Sequence, residues 1–279
     1  QKPELGKRPL WLEEKLTIPT KTRTEYESLK LQKTDNVKKE EFRMFLLAVK
    51  EKMVNFHKNG LGDSISADEY IKLYDDTKLY RDDFLHLLRY SLYVPDAYII
   101  IASVMEEICV EIKYKSGYEG EVMRTLLHEI FIYVVAFYLK TKNNEALSYI
   151  LSKTYFVNKY GNNDDQSFDI FYDNNENFDR AVSQKDNQKY YSGTANYWVN
   201  NINVEVCNKN EFVFADIFCY NAAIFNENYT KKWYWFPITY IYGRTEYRNS
   251  LFRQFAVHLK SKEHLQDVVE IMGFSDIQA

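Results

Sequence analysis

Pro95-Asp96 followed by Glu111-Ile-Lys113 supplies two carboxylates and a lysine, the residue types with which a nuclease holds a divalent ion and polarises an attacking water. That chemistry needs a β-hairpin carrying both carboxylates. Between them Ile100, Val104, Ile108 and Ile112 recur every four residues, with Ile101 and Met105 beside them. Such a period predicts a helix, which sets Asp96 about four turns from Glu111. His128-Glu129 has no second ligand at metal spacing, because the apolar run continues where an HExxH pattern needs histidine. Its plainer reading is a core or interface histidine. Glu106, Glu107 and Glu111 read as the solvated side of their helix. With no glycine-rich phosphate loop and no Ser or Cys nucleophile context, neither a cofactor nor a metal is expected.

The aromatic cluster Trp233-Tyr-Trp-Phe236, continued by Tyr240 and Tyr242, admits two roles. In a strand alternate rings face opposite sides, so one set fills a core while the other covers a neighbour. An exposed half, drawn from Trp233, Trp235, Tyr240 and Tyr242, is a candidate partner surface, since aromatics concentrate binding energy. Cys109, Cys207 and Cys219 match no zinc or redox spacing and read as reduced core residues of a cytoplasmic protein. The net charge of −4 gives no global electrostatic reason to bind nucleic acid.

The elements that must position these residues follow from period and punctuation. Residues 1–33 carry Pro, Lys and Thr without a sustained period and read as an arm or interdomain linker. From 34 to 157 the pattern predicts a helical bundle. Phe42, Phe45, Leu46, Val49, Met53 and Phe56 share one helical face, and Asn59-Gly60 supplies a stop. Ser66-Ala-Asp-Glu69 has the form of a capping box opening a helix or helix pair that runs to about Tyr93. Asp96 is placed to cap the next helix, and Gly117 with Gly120 to form a turn. Residues 121–140 make the most hydrophobic helix, predicted at the bundle centre. Its apolar run Ile130 to Leu139 is half of the roughly 20 residues a membrane span needs, so no membrane association is expected. A short helix follows from Asn144.

Residues 158–279 are expected to form a smaller α+β portion packed on the bundle. Between 158 and 201 the density of Asn, Asp and Gln predicts a long, partly mobile polar loop. Glu211 to Phe225 fits strand or helix, and Trp233 to Tyr242 is β-prone despite Pro237. Helices are expected again at 246–260 and 262–272, with Ser261 as cap and Gly273 as stop. The fold class expected is therefore mainly α, with a few strands near the carboxyl end.

Two resemblances add to this reading. Arg81-Asp-Asp-Phe-Leu-His86 and Arg253-Gln-Phe-Ala-Val-His258 share one spacing and are each similar to the short signature of HEPN ribonucleases, whose Arg and His act on RNA across a dimer interface. The alternative is surface or capping residues on amphipathic helices. Lys2-Pro-Glu-Leu-Gly-Lys-Arg-Pro-Leu-Trp11 looks like the linker that leaves an amino-terminal TIR or SEFIR domain in bacterial proteins. Leu126 to Lys140 resembles the central helix of the region that follows such domains, and Trp235 to Tyr242 with Leu259 to His264 resembles its closing segment. The resemblance implies a TIR-type parent that hydrolyses NAD or makes a signalling product, often in antiphage defence. The catalytic glutamate of that chemistry lies in the TIR domain, and no position here corresponds to it. For this segment it implies sensing, autoinhibition or assembly, through self-association, its own amino-terminal domain and an activating cue that a phage could supply.

Overall fold

The computed structural model describes residues 28–30, 33–58, 64–157, 165–225, 235–243 and 260–271. The architecture is mainly α. Helix α1 (Asp35–Val54) buries Phe42, Phe45, Leu46, Val49 and Met53 along the face its period defines. Helix α2 (Ala67–Tyr90) starts at Ser66 with a complete capping box: the Ser66 hydroxyl accepts from the Glu69 amide, and the Glu69 carboxylate accepts from the Ser66 amide. A single 3-10 turn, Ser91–Tyr93, closes it.

Helix α3 (Ala97–Ile112) begins after Asp96, which sits in the left-handed region at φ 52°. Contrary to expectation, its carboxylate makes no cap hydrogen bond and pairs instead with Lys39 of α1 at 2.7 Å. Gly117 and Gly120 likewise belong to the first turn of α4 (Gly117–Thr141). At Gly120 a Cβ would meet the Lys115 carbonyl oxygen at 2.0 Å, so only glycine lets the preceding turn fold over this helix start. Every residue of α4 from Thr125 to Tyr138 is buried. Helix α5 (Asn144–Ser152) follows, capped by the Asn143 side chain on the Ala146 amide.

The polar stretch differs from the predicted loop. Two short strands, β1 (Tyr155–Phe156) and β2 (Asp165–Gln166), pair antiparallel with Tyr155 opposite Gln166 and are the only strands among the described residues. Helices α6 (Glu176–Lys185) and α7 (Gly193–Asn200) then form within the Asn-rich region. Their starts are set by side-chain caps, Asn175 on the Phe178 amide and Ser192 on the Ala195 amide. Phe178 and Trp198 anchor them at 0% exposure, so polar composition here marks the outer faces of two docked helices. Glu211 to Phe225 lies within helix α8 (Lys209–Phe225). Residues 235–237 are irregular and Tyr240–Gly243 forms a 3-10 turn, so the β-prone segment makes no strand where it is described. Helix α9 (Lys262–Ile271) is present; 246–259 and Gly273 lie outside the described residues, as do residues 1–27 of the arm.

Helix α4 is the centre of the packing. It meets α2 on one side and α8 on another, with α3 and α5 beside it, while α1 covers α3 and α2. One continuous apolar cluster runs from Leu29 through these helices to Trp235 and Ile271, so the later elements share the core of the bundle. By length and composition α4 could cross a membrane, yet 89% of its most apolar window is enclosed by the protein itself. Phe131 lies near its middle, stacked on Phe171 at 4.9 Å and on Phe168 at 5.7 Å. Phe131→Ala is expected to cost roughly 3–5 kcal/mol. Urea denaturation followed by circular dichroism reads this directly, and a midpoint unchanged from the parent chain would refute the central place given to the stack.

Candidate functional site

The charged residue inside the apolar run of α4 organises the first polar cluster. Glu129 is fully buried, and its carboxylate needs partners that only facing helices can supply. Arg81 of α2 provides one: its guanidinium reaches the Glu129 carboxylate at 2.7 Å, with side-chain exposures of 6% and 0%. Tyr74, two turns earlier on α2, donates its hydroxyl to the other Glu129 oxygen at 2.6 Å and accepts the Trp198 indole N–H of α7 at 2.8 Å. Arg81 also donates to Asp82 at 3.0 Å and to the Asn201 carbonyl at 3.2 Å, and lies 5.8 Å from the Tyr133 ring centre. Burial works against the Arg81 charge, but the Glu129 carboxylate and then Asp82 outweigh it and hold the guanidinium more firmly protonated than usual. Burial, then Glu129, pushes the Tyr74 hydroxyl far above its ordinary value, so it stays a donor.

A second cluster lies one residue along α4. His128 is fully buried in a cage of ring edges, with Trp235 at 4.8 Å and Tyr172 and Trp198 at 5.0 Å. Its Nδ1 stands 3.2 Å from the Asp173 carbonyl oxygen, and its Nε2 has no hydrogen-bond partner among the described residues. Burial pushes its pKa down to about 3, so the ring is neutral. Trp235 connects this cage to Asp216 of α8, which accepts from the indole N–H at 2.7 Å and from the Thr239 amide and hydroxyl at 2.9 and 2.7 Å. Burial pushes the Asp216 carboxyl up to about 6 against these three donors, which pull it down.

The residues named from sequence part company here. Arg81 and His86 are five positions apart on one helix, about 140° around its axis. Arg81 turns inward to Glu129, whereas His86 is half-buried beside Tyr90 and lines an open pocket at the ends of α2 and α4. They do not meet at one place. Arg253, His258 and Trp233 lie outside the described residues. Trp235 is wholly buried, so it is core rather than partner surface, because its indole N–H is spent on Asp216 and its faces on His128 and Phe131. Tyr240 is 39% exposed, and Tyr242 is half-buried with its hydroxyl donating to the Ser192 carbonyl. Asp96 and Glu111 sit before and near the end of one helix, about 22 Å of rise apart, and form no joint cation site. Cys109, Cys207 and Cys219 are buried free thiols, and burial pushes the first two up to about 12. Among the described residues no three His, Cys, Asp or Glu side chains gather to hold a metal.

Asp216, Tyr74 and Trp198 are the polar hubs that sequence reasoning missed. Their signal was present for Asp216, an acid within an otherwise apolar helix, which like Glu129 demands a buried donor. No family model, curated protein or solved structure matches this chain.

Two tests follow. Glu129→Ala leaves the Arg81 charge buried and unanswered, and is expected to cost roughly 3–5 kcal/mol, while Arg81→Met with Glu129→Leu restores most of it. A double variant no more stable than the single one would show that the pair does not act as a unit. The second concerns pH. His128, with its folded pKa below the ordinary 6.5, contributes stability above pH 6.5 that is lost as pH falls toward about 3. Asp216, with its folded pKa above the ordinary 3.8, contributes stability below that value that is lost as pH rises through about 6. The two slopes oppose each other between pH 4 and 6, each by about 1.4 kcal/mol per pH unit. Relative to the parent chain, His128→Phe should therefore become less stable as pH rises through this window, and Asp216→Asn as it falls. Slopes of the same sign in the two variants would contradict the burial of one of these groups.

Proposed function

We propose that this chain is the regulatory and assembly region of a bacterial TIR-type defence protein, acting in the cytoplasm on the domain that precedes it. The observation that supports a non-catalytic role is the direction of its reactive groups. Arg81, Glu129, His128 and Asp216 are all buried, and their polar contacts tie helices to one another or to the irregular segments packed on them. Chemistry on a substrate needs such groups aimed into a cleft, with a position for the reacting atom within about 3 Å. The parent's identity rests on the resemblance of the Leu126 to Lys140 helix and the Trp235 to Tyr242 segment to the region that follows TIR and SEFIR domains.

In this reading the bundle holds neighbouring catalytic domains apart and brings them together when a cue binds its two states with unequal affinity. A single buried network spanning α2, α4 and α7 suits that task, because a tightly packed core switches between arrangements rather than deforming continuously. The purified chain is expected to leave NAD intact and to self-associate on a sizing column. The full gene product, expressed in cells challenged with phage, is expected to deplete cellular NAD. NAD hydrolysis by the isolated 279-residue chain, or undiminished NAD with the challenged full product, would defeat the proposal.

A further inference from the structure

We infer that the pocket at the joined ends of α2 and α4 binds a small phosphorylated aromatic compound of mononucleotide size. The pocket encloses about 290 Å³ beside the Ser28–Lys30 turn. That is close to the lower bound of small-molecule sites, which run from roughly 300 to 1,000 Å³. It has room for one ring and one phosphate but not for a dinucleotide.

Its charge is predominantly positive. Lys30, Arg89 and Lys140 line it, against one acidic residue among the described lining, Glu205, in a chain whose net charge is −4. A cation in the last turn is the ordinary response to a helix C-terminus, and it accounts for Arg89 on α2 and Lys140 on α4 taken singly. It does not account for the convergence of all three, for Lys30 arrives from a different element and is seated over Tyr90 and Tyr93. The present partners of Arg89 and Lys140 are also replaceable. Arg89 pairs with Glu205 at side-chain exposures of 41% and 46%, and Lys140 with Glu211 at 43% and 32%. Exposed pairs of this kind contribute little, whereas a phosphate brings two negative charges and a planar acceptor edge that suits the arginine fork.

The remaining wall is aromatic. His86, Tyr90 and Tyr93 form a run of rings with centroid separations of 5.3 and 6.2 Å. The Lys30 ammonium stands 5.3 Å from the centres of both Tyr90 and Tyr93. Tyr93 and Leu92 remain 45% and 56% exposed at the mouth, an apolar surface left open beside the cations. Ring stacking with phosphate contact is the recognition that such a lining offers, since aromatic faces take up bases while cations take up phosphate. The inference rests on this pocket alone and is independent of the proposed role in a TIR-type protein.

The test uses the whole 279-residue chain and AMP as probe, with binding measured by titration calorimetry and by line broadening of the adenine proton resonances. AMP is expected to bind and to weaken as salt rises. Arg89→Ala and Lys140→Ala should each weaken it by roughly tenfold or more, since a charge-assisted hydrogen bond is lost. Tyr93→Ala should weaken AMP but leave inorganic phosphate unchanged. Lys185→Ala, on the exposed face of α6, should alter nothing. Unchanged thermal melting of the variants confirms that they fold. A short 5′-phosphorylated oligonucleotide, too large for the pocket, should bind more weakly than AMP, and tighter binding would overturn the inference. No binding of AMP at millimolar concentration overturns the inference. So does binding that survives both Arg89→Ala and Lys140→Ala, or adenosine binding as tightly as AMP.

Discussion

A carboxylate in the buried middle of the central helix is the constraint on which the rest of this fold depends. A carboxylate buried in the apolar interior is costly without a cation and further donors, and at Glu129 the facing helix α2 supplies them. Arg81 and Tyr74 meet this demand from one face of α2, and their spacing fixes the register of α2 against α4 to within one turn. Apolar side chains alone would tolerate a slide of one turn between two leucine-rich surfaces. The ion pair does not, because sliding leaves two buried charges unanswered. Trp198 extends the same demand to α7 through its bond to Tyr74, so an element distant in sequence from both helices is placed by the same carboxylate.

The later part of the chain is fastened by a complementary device. His128 contributes no charge but fills a space bounded by Trp198, Tyr172 and Trp235, and Trp235 in turn is held by Asp216. Two buried titratable groups thus share one indole between them, one neutral at ordinary pH and the other poised against its own burial. Their opposed shifts pull the stability of this junction in opposite directions as pH falls. Catalytic sites also bury titratable groups, but they aim them into a cleft; here the same residue types serve cohesion.

Much of the helical half was legible in the sequence. The capping box at Ser66, the apolar face from Phe42 to Met53 and the largely hydrophobic Leu126 to Tyr138 all specify their elements through local rules that tertiary contact does not override. The Asn-rich stretch was not, because composition and periodicity disagree there. Phe178, Ala181 and Val182 sit at helical spacing behind an Asn175 cap, yet the polar residues that outnumber these anchors conceal a pattern only ten residues long. Trp235 to Tyr242 misled in the other direction. Aromatic and β-branched residues fit a pleated surface, but a strand needs a neighbouring edge, and the Asp216 carboxylate captures the Thr239 amide that a ladder would have used. Of the polar clusters, the sequence marks which residues must be buried with partners but not which partners, since Arg81 and Glu129 are separated by an entire helix and two turns.

The apolarity of α4 also bears on how the polypeptide is made. As it leaves the ribosome, this segment has the length and hydropathy of a membrane anchor, and α8, which covers one of its flanks, is not yet synthesised. During that interval the apolar faces that α8 will cover stand open. The acid at the centre of α4 supplies the distinction from an anchor, because a carboxylate in mid-bilayer costs a few kcal/mol and biases the segment against insertion. The same carboxylate that fixes the helix register thus also sets α4 apart, by charge, from a segment made to sit in lipid.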